Sequence, residues 1–222
     1  MTWFAELWGF LEAEIFPLPS LQHAKGGLFN FYRDQDPAVE IAGAAARRRQ
    51  NLWNFLANLP QRPALLLVGE APGWRGCRFS GVPFTSEAQL EAGGLGFGGA
   101  RTSLSANPHR ETSAGVFWDA LAPHYPGFFA WNCVPFHPHT LEGLCSNRRP
   151  TKAELRQFSA SLARLIDALQ PQRALAIGRV AQQTLAGMGL AAYPLRHPAH
   201  GGAAEFRAGL QRFFAGEGSV RG

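Results

Sequence analysis

Two glycine-bearing loops place a carboxylate and an aromatic ring where they could act on a ligand. The first is residues 69–73, Gly-Glu-Ala-Pro-Gly, and the second is residues 81–84, Gly-Val-Pro-Phe. Glycine lets a backbone approach a ligand closely, and proline stiffens a loop. Glu70 could orient a water molecule or act as a base. Phe84 could stack on a flat ligand, although both side chains also suit a plain turn with a capping glutamate and a core phenylalanine.

An asparagine and a histidine supply two further groups. Asn132 lies in the apolar run 128–133, Phe-Phe-Ala-Trp-Asn-Cys. An unpaired buried amide costs about 1–3 kcal/mol, so it must bond either neighbouring backbone or a ligand such as the edge of a nucleobase. His197 lies in the segment 196–202, Arg-His-Pro-Ala-His-Gly-Gly. It could donate a hydrogen bond to a group that gains negative charge, or be an ordinary surface histidine.

Apolar runs beside these groups predict the strands that position them. The predicted strands are residues 64–69, 128–134, 173–178 and 193–196. The first run, Ala-Leu-Leu-Leu-Val-Gly, is typical of a strand buried on both faces. Because helical patterns alternate with the runs, we predict a three-layer α/β/α fold with a short, about four-stranded parallel central sheet. Working residues gather at the carboxyl ends of such strands, so these groups should meet there.

Helices are predicted from apolar periodicity and capping signals. Asp36-Pro37 followed by Glu40 indicates a helix that reaches about residue 59. Thr151 and Glu154 form a capping box that starts a helix to about residue 169. The other predicted helices are 3–16, 113–121, 179–187 and 202–214, with mostly loop over 70–110. We expect one domain over 1–222, with residues 1–60 as a helical layer and 215–222 as a flexible tail.

Composition limits the class of protein and its partners. The 222 residues carry a net charge of +5, and 46% are hydrophobic and 17% charged, which fits one soluble globular domain. The positive charge suits an anionic partner such as nucleic acid, but a basic enzyme without such a partner would have the same charge. Three spaced cysteines make no disulfide framework, so we expect a reducing cytoplasm. We predict no signal peptide, no membrane partner and a monomer.

The order of the motifs resembles that of a known family. The order is Gly-Glu-Ala-Pro-Gly, Gly-x-Pro-Phe, a strand-end asparagine, Asn147-Arg148-Arg149-Pro150 and His-Pro-x. Over residues 64–210 it resembles the uracil-DNA glycosylase superfamily, with the bacterial and archaeal family 4 as the nearest branch. The resemblance implies excision of uracil from DNA, by flipping the base out of the helix and hydrolysing its N-glycosidic bond without cofactor or metal.

The resemblance also implies a role for each motif. Glu70 and His197 would be catalytic, with Glu70 activating water and His197 stabilising the base oxygen that becomes anionic. The base-binding residues would be Gly69, Ala71, Pro72, Gly73, Phe84 and Asn132. A DNA surface at the same end would contain Arg101, His109, Arg110, Arg148, Arg149, Arg196 and His200.

The sequence departs from the family pattern in its water-holding and duplex-opening residues. In several branches Asp or Asn holds the water where Ala71 stands, so this task would fall to Glu70. The loop after His197 has small residues where other members push a bulky side chain into the duplex. His200 would be a poor wedge, which favours single strands or weak pairs as substrate.

The cysteines also depart from the family pattern. Family 4 carries an iron–sulfur cluster on four cysteines, two of them near the N-terminus. This chain has three cysteines and none before Cys77, so we expect no cluster. Zinc bound by Cys133, His137, His139 and Cys145 is an alternative that the non-standard spacing disfavours.

Three other functions compete with uracil excision. The first is a glycosylase for other deaminated bases such as hypoxanthine or xanthine, because an asparagine amide can serve more than one base edge. The second is a nucleic-acid-binding protein without catalysis, which Ala71 and the small-residue loop would suit. The third is a nucleotide-binding α/β protein, which is disfavoured because no GxGxxG or P-loop pattern follows a predicted strand.

Overall fold

A four-stranded parallel sheet lies at the centre of the computed structural model, which describes residues 2–217. The strands are β1 (Leu21–His23), β2 (Gly26–Phe29), β3 (Leu65–Gly69), β4 (Phe128–Asn132), β5 (His137–His139), β6 (Arg173–Ile177) and β7 (Tyr193–Leu195). The α-helices are α1 (Trp3–Phe10), α2 (Ala44–Ala57), α3 (Cys77–Ser80), α4 (Glu87–Ala92), α5 (Thr112–Leu121), α6 (Lys152–Leu169), α7 (Arg179–Gly187) and α8 (Ala203–Arg212). Shorter helical turns are the π-helices Leu11–Ile15 and Phe213–Glu217 and the 3₁₀ turn Ala122–His124.

The central sheet confirms the predicted fold class. Its strand order is β4-β3-β6-β7, and every neighbouring pair is parallel. β3 and β4 are buried along their whole length, as a continuous apolar run requires when helices cover both faces. α7 packs against β3 and β6, and α8 packs against β7 and α5. In the register Gly69 lies opposite Asn132, so two predicted site residues end neighbouring strands.

A second, antiparallel sheet of three short strands was not predicted. Its order is β1-β2-β5, so the N-terminal sixty residues contain a hairpin as well as helices. β2 is buried, and Gly27 allows close pairing because a Cβ there would lie 2.4 Å from the Leu21 carbonyl oxygen. The strands have three or four residues, and the partner β5 lies more than a hundred positions along the chain. Local periodicity therefore contains no sign of this sheet.

The second helix begins at Ala44 rather than near Asp36, so the predicted start is wrong. Residues 38–41 instead run beside residues 102–104. The Ile41 N–H donates to the Thr102 carbonyl at 2.9 Å, and the Leu104 N–H donates to the Val39 carbonyl at 2.8 Å. The helix starts only after Gly43, whose φ of 76° favours glycine. Pairing with a distant loop thus overrides the local capping signal.

Glu40 belongs to a buried ion cluster instead of a helix end. Its Oε1 lies 2.9 Å from Arg48 Nη1 and 3.2 Å from Arg78 Nη1, and all three side chains are fully buried. Burial lowers the pKa of both arginines, while the charge of Glu40 opposes this shift. The cluster joins the segment before α2, the helix α2 and the short helix α3.

Another buried carboxylate orders the long stretch predicted as loop. Glu87 Oε1 accepts the N–H groups of Thr102 and Ser103 at 2.7 and 2.8 Å. Its Oε2 accepts the Ser103 hydroxyl at 2.6 Å and the His109 N–H at 3.1 Å. Four donors compensate the loss of hydration of this carboxylate, so the loop between α4 and α5 has a fixed course.

The chain end and the surface complete the described part of the molecule. The last predicted helix is present as α8 and is followed by the π-helical turn Phe213–Glu217, which is kinked at Gly216, where φ is 88°. Residues 218–222 lie outside the described residues. Within residues 2–217, no helix combines the length and apolar character needed to cross a membrane.

We expect Glu40→Gln to lower the free energy of unfolding by about 3–5 kcal/mol, because the substitution leaves Arg48 buried without a counter-charge and Arg78 with only the more distant Asp36, at 3.8 Å. Urea unfolding monitored by circular dichroism measures this. The exposed Glu6→Gln is the matched control and should change the value by less than about 0.5 kcal/mol. Equal stabilities of the two variants would contradict the importance of the cluster.

Candidate active site

A cleft of about 380 Å³ opens at the carboxyl end of the central sheet. Its walls come from the segments that follow β3, β4, β6 and β7, which is where a parallel α/β sheet gathers working residues. The predicted catalytic and base-binding residues that line it are Glu70, Ala71, Pro72, Gly73 and His197. The predicted DNA-binding residues that line it are Arg148, Arg149, Arg196 and His200.

The remaining predicted base-binding residues form a buried corner beside the cleft. A Cβ built on Gly69 would lie 2.4 Å from Phe84 Cζ and 2.7 Å from Asn132 Oδ1. The Phe84 ring stacks on Phe117 with centroids 4.6 Å apart and an interplanar angle of 6°, and its backbone holds a positive φ of 54°. Phe84 and Asn132 are 9% and 5% exposed. Glycine at the end of β3 is therefore what lets the ring and the amide approach each other.

The amide of Asn132 has no partner within the described part of the chain. Neither its oxygen nor its nitrogen makes a hydrogen bond to residues 2–217, although the residue is almost buried. No neighbouring backbone group among the described residues bonds to this amide. A ligand is therefore the remaining partner that the sequence analysis offered for it. A planar ligand held near Phe84 would find both a donor and an acceptor in this amide.

Glu70 is a half-buried carboxylate at the rim of the cleft. Its side chain is 33% exposed and lies 3.9 Å from Arg149 Nε. Burial raises its pKa, and the positive charge of Arg149 opposes the shift. The Glu70 carbonyl accepts the Val134 N–H at 3.1 Å, which fixes the backbone of this loop against the segment after β4. The carboxylate can accept a proton or hold a water molecule.

His197 is a neutral imidazole with one defined donor. Burial lowers its pKa to about 4, and the nearby positive charges of Arg196 and His200 add to the shift. The Ala199 N–H donates to Nδ1 at 3.1 Å, so Nδ1 is an acceptor and the ring proton lies on Nε2. The Nε2–H group can therefore donate a hydrogen bond to a ligand without carrying a positive charge.

Glu111 lines the same cleft and was missed by the sequence analysis. It stands immediately before α5, yet its side chain makes no capping hydrogen bond to that helix. Its two oxygens lie against Gly73 and Gly76, where a built Cβ would be 2.2 and 2.0 Å from them. Burial raises its pKa to about 7, and a hydrogen bond with Ser113 opposes the shift. A glutamate before a helix looks like an ordinary cap in the sequence, so nothing local distinguished it.

Residues 135–150 brace the glycine loop. His137 is buried with Nδ1 2.9 Å from the Pro72 carbonyl oxygen and Nε2 3.1 Å from that of Leu144, and burial lowers its pKa to about 4. Asn147 Oδ1 accepts the Trp74 N–H at 3.0 Å. Both ring nitrogens of His137 thus face backbone oxygens. Among residues 2–217, no three His, Cys, Asp or Glu side chains are grouped as a metal would require.

Arg148 contacts protein groups with most of its guanidinium. Nη1 and Nη2 donate to the Glu154 carboxylate at 2.8 and 2.6 Å, Nη2 donates to the Gly27 carbonyl, and Nε donates to the His139 carbonyl. The side chain is 13% exposed. It connects the small sheet to the start of α6, a bracing role that the sequence did not indicate.

The other basic residues predicted to contact DNA divide into two groups. Arg149 is 63% exposed at the cleft, and Arg196 and His200 are exposed residues that also line it. Arg101 and Arg110 do not line the cleft, and Arg101 pairs with Glu91 at 3.4 Å. His109 also lies outside the lining and stacks on Phe79. Arg179, at the start of α7, is an exposed cleft residue that the sequence analysis missed. Its position just after the carboxyl end of β6 could have identified it.

Comparison with known proteins points to one family. The sequence model described as "Uracil DNA glycosylase superfamily" matches residues 56–213. The fold is similar to the crystal structure of wild-type SMUG2 from Pedobacter heparinus, with a TM-score of 0.67 and 13% sequence identity over 98% of this chain and 97% of that chain. No curated protein sequence matches the chain significantly.

We expect Gly69→Ala to lower the free energy of unfolding by about 1–3 kcal/mol, because the new methyl group collides with Phe84 and Asn132 in a packed corner. Urea unfolding measures the change. Gly98→Ala is the control, since a Cβ there meets nothing within 4 Å. A Gly69→Ala protein as stable as this control would show that the corner can open.

We expect Glu111→Gln to stabilise the protein increasingly as the pH rises from about 5 to about 8. The folded state raises the pKa of Glu111 from 4.5 to about 7, so it retains a proton that the unfolded chain has already lost. The wild type therefore loses stability across this interval, and glutamine does not. Thermal unfolding at both pH values tests this, and a pH-independent difference between the two proteins would contradict it.

Proposed function

The chain belongs to the uracil-DNA glycosylase superfamily and is a DNA glycosylase, a hydrolase of N-glycosyl bonds, and we propose that its substrate is uracil in DNA. The observation that carries this proposal is the neutral His197 with its Nε2–H donor in the same cleft as the Glu70 carboxylate. Hydrolysis of an N-glycosidic bond requires stabilisation of the departing base and a water molecule that adds to the sugar. The two side chains can supply these two functions.

The corner made by Gly69, Phe84 and Asn132 would receive the flipped base. Phe84 offers a ring face for stacking, and the Asn132 amide offers a donor and an acceptor side by side. Uracil presents a carbonyl oxygen next to a ring N–H on its pairing edge, which this amide complements. Hypoxanthine presents the same pair, so excision of that base is the alternative substrate that the same geometry would allow.

Glu70 would hold and deprotonate the water in place of the missing polar side chain at Ala71. Burial raises the pKa of Glu70, and Arg149 beside it partly opposes this shift and so helps to keep the carboxylate form that accepts a proton. His197 would donate from Nε2 to the base oxygen that gains negative charge as the bond breaks. A donor already aimed in a partly buried site needs little reorganisation during the reaction, which is why such groups contribute strongly to rate.

Arg149, Arg196, Arg179 and His200 surround the cleft mouth and would contact the phosphates of the bound strand. The small residues after His197 support a preference for single strands or weak base pairs. The monomeric state and the cytoplasmic location inferred from the sequence stay predictions.

The first test is excision from labelled oligonucleotides containing uracil, hypoxanthine or xanthine, single- and double-stranded, in EDTA, followed by alkaline cleavage of abasic sites. Cleavage with uracil is the expected result. Cleavage with hypoxanthine or xanthine alone would move the substrate to a purine, and no cleavage with any base would contradict the proposed function.

We expect His197→Ala to lower the single-turnover excision rate by about 100- to 1,000-fold, because it removes the donor to the departing base. DNA affinity, measured by fluorescence anisotropy, should change by less than about threefold, since His197 contributes no phosphate contact in this scheme. His124→Ala is the matched control, because His124 is exposed before β4, at the opposite end of the sheet. Equal losses of affinity and rate would contradict this role.

A further inference from the structure

A groove of about 480 Å³ lies between α6 and α7 and continues the cleft of the candidate active site. Arg149 and Val180 line both the cleft and the groove, so a strand that leaves the cleft on this side enters the groove directly. We propose that this groove binds the nucleotides that flank the target nucleotide in single-stranded DNA. The inference deepens the proposed function, and it rests on that function for the DNA strand in the cleft.

The rim of the groove is positively charged. Its cations are Arg149, just before α6, and Lys152 and Arg156 on α6, and all three are exposed. The part of the chain that the structure describes contributes no carboxylate to the lining of this groove. The groove between α1 and α6, in contrast, is lined by three carboxylates and one arginine. A run of cations without acids suits the phosphate groups of a nucleic acid.

The stability of α6 does not explain Lys152 and Arg156. Lys152 is the first residue of the helix, where the helix dipole disfavours a positive charge. Arg156 follows four positions later, so two like charges are neighbours on one helix face, which also destabilises a helix. Neither side chain forms an ion pair within residues 2–217, and the acid of the first turn, Glu154, is buried and bonds Arg148. An anionic ligand would compensate both charges.

The floor of the groove favours a single strand over a duplex. Pro150 and Val180 are buried and Leu155 is half-buried, so these apolar side chains lie beneath the exposed cations. Unpaired nucleotides can turn sugars and base faces toward an apolar surface while their phosphates remain at a basic rim. A duplex keeps its base faces within the stack and would leave the floor without such a contact. The groove therefore fits a single strand.

The test measures how DNA affinity depends on the length of each flank. Single-stranded DNA carries 2′-fluorinated deoxyuridine, which resists hydrolysis because fluorine disfavours positive charge on the sugar. One flank has about three nucleotides and the other either about three or about ten, and a second series exchanges the two sides. Fluorescence anisotropy gives Kd at salt concentrations from about 0.05 to about 0.2 M. Single-turnover assays on ordinary uracil-containing DNA give the maximal excision rate.

The variants separate the groove from the overall charge of the protein. Lys152→Ala/Arg156→Ala removes two cations of the rim, and Lys152→Arg/Arg156→Lys keeps both charges. Arg62→Ala/Arg173→Ala is the matched control, because it removes the same charge from exposed positions at the amino ends of β3 and β6, opposite the cleft. Circular dichroism checks that each variant is folded.

We expect the longer flank on one side to lower the wild-type Kd about tenfold, and Lys152→Ala/Arg156→Ala to lose this gain. The slope of log affinity against log salt should become shallower by about 1.4, since each phosphate contact on a single strand contributes about 0.7. The maximal excision rate should stay within about twofold of the wild type, because the lost contacts hold substrate and transition state equally. The charge-conserving variant and the control should keep the gain.

Failures of the two proposals are distinguishable. The groove proposal is overturned if the wild type gains nothing from either longer flank, or if Lys152→Ala/Arg156→Ala keeps the gain. An equal loss in Arg62→Ala/Arg173→Ala, or a gain that persists after the longer flank is hybridised to its complement, also overturns it. A wild type that shows the groove-dependent gain but does not excise uracil contradicts the proposed substrate and still supports the groove.

Discussion

The missing side chain at Gly69 is the constraint on which the site depends. β3 is the inner strand between β4 and β6, and it ends where the loops of the cleft begin. Because Gly69 has no Cβ, the Phe84 ring and the Asn132 amide meet over its backbone, and Glu70 follows directly into the cleft. The proposed base-binding groups and the proposed catalytic Glu70 are thus arranged around one backbone position. The helices, the ordered loop and the small sheet serve to hold the segments that converge there.

Buried carboxylates have two kinds of environment in this protein. Three of them have partners for their negative charge. Glu40 pairs with two arginines, Glu87 accepts four hydrogen bonds, and Glu154 pairs with Arg148 and accepts the Thr151 N–H. Glu70 and Glu111 have little compensation, and burial raises the pKa of each. Compensated carboxylates hold segments together, whereas uncompensated ones retain the capacity to exchange protons. The cleft contains the second kind.

The sequence predicted the features that follow from local pattern. Continuous apolar runs located the strands of the parallel sheet, and the capping box at Thr151 located the start of α6. Functional residues of a parallel sheet gather at the carboxyl ends of its strands, and on this basis the sequence analysis expected Glu70 and His197 to lie together, as they do in the cleft. The sequence analysis missed the features that depend on contacts between residues distant in the chain. The small sheet needs β5, and the start of α2 is set by pairing with residues 102–104. The position of the Glu111 side chain depends on two distant glycines, Gly73 and Gly76, that leave space for its carboxyl group. Such contacts have no local periodicity to detect.

The cluster of Glu40, Arg48 and Arg78 also has an evolutionary consequence. The stretch that matches the superfamily, residues 56–213, includes Arg78 but neither of its two partners. A shortened gene that encoded this stretch alone would bury the Arg78 guanidinium without Asp36 or Glu40, its two carboxylate partners. Exchange of any one of the three residues unbalances the buried charges of the others. The preceding segment and the matched region are thus expected to have diverged as one unit, with substitutions at the three positions coupled across lineages.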